Sequence, residues 1–87
     1  MYVYYRRRAE GVILEFIRGI KGGATLSWAL GCLREMLEHG KFSYQDVLEI
    51  IGEIESNPTL YLLDRFPGRG MRLRLLKDRL REIMGFS

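Results

Sequence analysis

The only imidazole in the chain is His39 and the only thiol is Cys32, so nucleophilic or metal chemistry must be built from very little. One cysteine cannot form an internal disulfide, and one cysteine with one histidine falls short of the four nitrogen and sulfur ligands of a usual zinc site. His39 stands before Gly40, where a cation favours the end of a helix, a role that needs no base catalysis. Cys32 lies beside a leucine seam and reads as a small buried hydrophobe rather than a nucleophile. Glu49 and Glu53 form an i, i+4 carboxylate pair, but exposed acidic helices carry such pairs routinely. Gly68-Arg69-Gly70 lacks the second spaced glycine and the Lys-Ser or Lys-Thr of a phosphate loop. The residues therefore point away from an enzyme, and no cofactor, metal or small-molecule substrate is expected.

Guanidinium is the one chemistry present in quantity. The chain carries 14 Lys+Arg against 11 Asp+Glu, a net charge of +3 with histidine neutral. Residues 64–81 hold Arg65, Arg69, Arg72, Arg74, Lys77, Arg79 and Arg81 against Asp64 and Asp78, so 7 − 2 = +5. Arg6, Arg7 and Arg8 add a second basic group. Residues 41–56 hold Asp46, Glu49, Glu53 and Glu55 against Lys41, so 1 − 4 = −3. Charge is thus polarised along the chain far more than the net value suggests. A basic stripe of this density attracts phosphate backbones by Coulomb steering and counterion release; the bland alternative is a solvated, ion-paired surface. Arginine far outnumbers lysine, and Asn57 and Gln45 are the only amides, a pattern expected of a thermophile.

Three helices must position these groups. Ala9, Val12, Ile13, Phe16, Ile17 and Ile20 recur on one helical stripe over residues 8–20, and Lys21-Gly22-Gly23 ends it. Leu26, Leu30, Leu33 and Leu37 make the seam of a second helix that starts at Thr25 or Ser27 and stops at His39-Gly40. Ser43 caps a third, with Asp46 three residues on as an incomplete capping box and Tyr44, Val47, Leu48, Ile51 and Ile54 as the stripe. Ser56-Asn57-Pro58 closes it.

Beyond Pro58 the period changes. Residues 59–63 are a short apolar run bounded by turn residues, residues 66–70 read as a turn, and Met71, Leu73 and Leu75 alternate with Arg72 and Arg74. This predicts a β-hairpin over 59–76 and a short helix over 77–84, behind an N-terminal arm (1–7) and a three-helix core (8–57) in a single domain. The competing reading is one helix over 70–84 and an all-α four-helix bundle; Leu73, Leu76, Leu80 and Ile83 then share a face while Met71 and Leu75 point away. Mainly α with a C-terminal hairpin is the preferred fold class. Its order of helix, helix, helix and two-stranded wing resembles the winged-helix domain, an analogy of element order without a diagnostic motif.

The function expected is non-catalytic binding of nucleic acid, DNA before RNA, through the basic wing and C-terminal stripe. Arg65, Arg69, Arg72, Arg74, Lys77, Arg79 and Arg81 are the expected phosphate contacts, with Arg6, Arg7 and Arg8 as a second group. The acidic third helix does not suit the major groove. It suggests instead an accessory subunit that binds a larger protein through Trp28, Asp46, Glu49, Ile50, Glu53 and Leu14, or a homodimer, since Leu14 and Ile50 lie off their stripes as spare apolar surface. No apolar run reaches the length of a membrane helix and no cleavable signal is evident, so no membrane partner and a cytoplasmic location are expected.

Overall fold

Four α-helices and no strand make up the described part of the chain, which in this computed structural model comprises residues 2–19, 23, 25–38 and 42–85. They are α1 (Tyr2–Arg18), α2 (Leu26–Leu37), α3 (Tyr44–Glu55) and α4 (Pro67–Ile83). Helix α1 touches the other three, and α3 also packs on α4. The four-helix reading therefore fits and the winged one does not.

The stripe of α1 follows from its spacing: Ala9, Val12, Ile13, Phe16 and Ile17 are all buried. Gly19 adopts φ 60°, the left-handed conformation that ends a helix and suits a residue without a Cβ. The helix begins at Tyr2, so described residues of the expected N-terminal arm belong to its first turns. In α2, Thr25 accepts a hydrogen bond from the Trp28 backbone N–H at 3.1 Å and so caps the helix. Its buried residues are Ala29, Leu33 and Met36, while Leu26, Leu30 and Leu37 are half-buried. The leucine seam is thus displaced: small Ala29 lets the helix approach, and the larger leucines flank the contact. Cys32 is half-buried beside the core with a free thiol.

Helix α3 is the most completely specified. Ser43 and Asp46 form the reciprocal capping box, with Ser43 N–H donating to Asp46 Oδ2 at 2.9 Å and Asp46 N–H to Ser43 Oγ at 3.2 Å. Aspartate serves where glutamate is usual. Phe42 and Val47, the two positions of a hydrophobic staple, are both buried. Ile50 is buried with Val47, Ile51 and Ile54, so it forms part of the core rather than spare surface.

The expected hairpin is the main correction. Residues 58–65 form a compact series of turns with local backbone hydrogen bonds. The Tyr61 N–H donates to the Asn57 carbonyl at 3.2 Å, Leu62 to Thr59 at 3.2 Å and Leu63 to Pro58 at 2.7 Å. The donors at the centre of the segment are thus spent within the turn rather than on a ladder partner. Pro67 then begins α4 at the first helical position, where its missing N–H costs nothing. Burial of Leu73, Leu76 and Leu80 fixes the rotation of the helix, and the apparent alternation over 71–75 is a coincidence of helical spacing. The expected helix over 77–84 is the second half of α4. The readings at Ile20, Lys21, Gly22, His39, Gly40 and Lys41 lie outside the described residues.

Candidate functional site

Folding brings the acidic helix against both basic segments. Arg6 of α1 pairs with Glu53 of α3, and Lys77 of α4 pairs with Glu55 of α3 at 3.1 Å. Arg79 pairs with Glu82 within α4 at 2.9 Å. The polarity seen along the sequence is therefore partly cancelled in space.

Arg72 is turned inward. Its Nε donates to the Phe16 carbonyl at 2.6 Å, and its guanidinium lies 4.4 Å from the centroid of the Phe16 ring. That carbonyl belongs to the last turn of α1, where helix geometry leaves oxygens without an intrahelical donor and the dipole favours a cation. Arg69 is half-buried, stacked 4.5 Å from the Phe66 ring centroid, with Nη1 3.4 Å from the Tyr61 carbonyl. Arg7, Arg8, Arg65, Arg74 and Arg81 are exposed. The expected protein-contact residues separate as well. Ile50 is in the core, Asp46 serves the cap, and Glu53 is held by Arg6. Trp28 and Leu14 are half-buried, and Glu49 is exposed.

Large apolar side chains outside the expected sites are exposed on the 60–66 turn and on α4. Leu60 is 72% exposed, Phe66 45%, Met71 72% and Leu75 52%. Met71 and Leu75, at i and i+4, lie side by side on the outer face of α4, away from the Leu73–Leu76–Leu80 stripe. Arg74 stands one turn after Met71, so a cationic group borders this pair. The signal was in the sequence: once residues 70–84 are wound as one helix, Met71 and Leu75 have no place in the core.

Leu14, Ile17 and Arg18 of α1 and Leu60, Tyr61, Leu62 and Arg69 line a groove of about 250 Å³. Leu62 holds φ 60° there, the only described non-glycine residue with a positive φ. The Tyr61 hydroxyl lies 3.4 Å from Glu10 Oε1. Its pKa is raised, first by burial and then by the neighbouring Glu10 carboxylate, which disfavours a second negative charge. Among the described residues no group of three metal-ligating side chains occurs, and no helix is long and apolar enough to cross a membrane.

Compared with family models, with curated proteins and with solved structures, the chain matches none.

Proposed function

We propose that the protein is a small non-catalytic docking subunit. It binds a larger protein through the outer side of α4, where Met71 and Leu75 lie beside Arg74. The observation that carries this reading is the exposure of Met71 and Leu75 side by side on the outer face of α4. Large apolar side chains gathered in this way usually mark a contact surface. Arg74 at its border selects a partner whose complementary patch is apolar and acidic. The protein contact expected at α3 moves to this face, because Asp46 serves the cap and Glu53 and Glu55 are ion-paired, which leaves Glu49 alone of the four expected carboxylates.

A photoreactive side chain at position 71 tests it in nuclease-treated lysate of the source cells. The expected result is one discrete protein adduct that is lost in Leu75→Ser, reduced in Arg74→Glu and retained in Arg7→Glu. Adducts indifferent to Leu75→Ser, or no protein adduct, would sink the reading.

A second reading keeps nucleic acid as the partner and rests on Arg7, Arg8, Arg65, Arg74 and Arg81, exposed and without an ion pair among the described residues. It predicts affinity for random-sequence duplex falling linearly with log salt, and a shallower slope in Arg65→Ala/Arg74→Ala/Arg81→Ala.

A further inference from the structure

We infer that the groove between α1 and the 60–62 turn is an anchor site for one large apolar side chain of a partner protein, flanked in its sequence by carboxylates. The inference rests on the docking reading and specifies its chemistry. Leu14, Ile17, Leu60 and Leu62 give the groove an apolar lining, and its volume of about 250 Å³ exceeds the ~150 Å³ that holds a benzene ring in a protein interior. A leucine or phenylalanine side chain therefore fits.

Charge decides what accompanies it. Both ionic side chains lining the groove are arginines, and they come from different elements: Arg18 from the last turn of α1 and Arg69 from the first turn of α4. Arg18 is exposed and has no ion pair among the described residues. Arg69 is held by Phe66 and the Tyr61 carbonyl, which orders the guanidinium while leaving most of its five donors unused. Guanidinium pairs well with carboxylate, so two arginines around one apolar slot fit an acidic–apolar–acidic segment. The left-handed conformation of Leu62 costs about 1–2 kcal/mol for a residue with a Cβ. Such strain concentrates at binding sites, where the surrounding structure holds it.

The test is a two-dimensional NMR titration of the whole chain with the peptide Ac-Glu-Phe-Glu-amide. Two control peptides replace the phenylalanine by glycine, or both glutamates by glutamine. Saturable millimolar shifts at Leu14, Arg18, Leu60, Leu62 and Arg69 are expected. Binding should weaken about three- to tenfold with the glutamine peptide and vanish with the glycine one. Arg18→Gln, at an exposed position, should reduce the preference for glutamate over glutamine to the part that Arg69 supplies, without disturbing the spectrum of the core. Saturable shifts at Met71 and Leu75 alone would overturn the groove and leave the docking face standing. Equal binding of the glutamate and glutamine peptides would overturn the carboxylate requirement. No saturable shift anywhere would overturn the groove, while the crosslinking result would still decide the face.

Discussion

At the scale of single residues, Arg72 shows how a side chain expected at the surface becomes a structural tie. It supplies a charge-assisted hydrogen bond to the end of α1 and stacks on Phe16. A charged hydrogen bond contributes about 1.5–3 kcal/mol and a partly desolvated cation–π contact about 1 kcal/mol. Arg72→Ala should therefore destabilise the fold by about 2–4 kcal/mol, measured by urea unfolding. Arg72→Lys should recover only part, because an ammonium lacks the planar fork that both donates and stacks. Tyr61 supplies a pH dependence. Burial and Glu10 raise its folded pKa above the unfolded value. Its contribution to stability is therefore fully present below about pH 10, the unfolded pKa, and is lost as pH rises from there through the folded pKa. Tyr61→Phe should flatten the alkaline decline of stability in that window while leaving the neutral region's slope unchanged. A decline of equal steepness in the variant would place the titrating group elsewhere.

At the scale of elements, legibility followed the number of independent signals. Helix α3 had a capping serine, an acidic first turn and an apolar stripe, all agreeing, and the structure forms each of them. Ser43→Ala should cost about 1 kcal/mol, read as a lower midpoint in urea with unchanged m-value. Helix α2 was legible as a helix, but its rotation was not, because four leucines outweighed the smaller Ala29 that permits close approach. Helix α4 misled for a related reason. Two glycines near its start weaken helix propensity, and Met71-Arg72-Leu73-Arg74-Leu75 has a period of two by itself. Only the tertiary burial of Leu73, Leu76 and Leu80 separates the helix from the strand, and that burial depends on partners distant in sequence. The exposed pair Met71 and Leu75 was hidden by the same error, since a hairpin assigns both to a covered side. Nor does Arg18 stand out in the sequence, lying outside both clusters of basic residues.

At the scale of the whole molecule, the acidic helix acts as a partial counter-charge for the two basic helices it packs against. Arg6–Glu53 and Lys77–Glu55 tie α3 to α1 and α4 across the surface. Exposed pairs of this kind contribute about 0–1 kcal/mol each and are screened by salt, so they do little to hold the fold together. Their larger effect is on the field outside, because each removes a cation from the outward-facing set. Replacing both carboxylates, Glu53→Gln/Glu55→Gln, raises the formal net charge from +3 to 3 + 2 = +5. The double variant should lose no more than about 2 kcal/mol in urea unfolding. Its affinity for a random-sequence duplex should rise, with the slope of log K against log salt steeper by up to about two, one for each cation released. An unchanged slope with unchanged stability would mean that Arg6 and Lys77 stay turned away from solvent phosphates without their glutamates. The phosphate contacts of the second reading would then be confined to Arg7, Arg8, Arg65, Arg74 and Arg81. A steeper slope would instead identify α3 as the element that restrains a basic molecule from indiscriminate binding. That property suits a subunit whose arginines are reserved for an acidic protein surface.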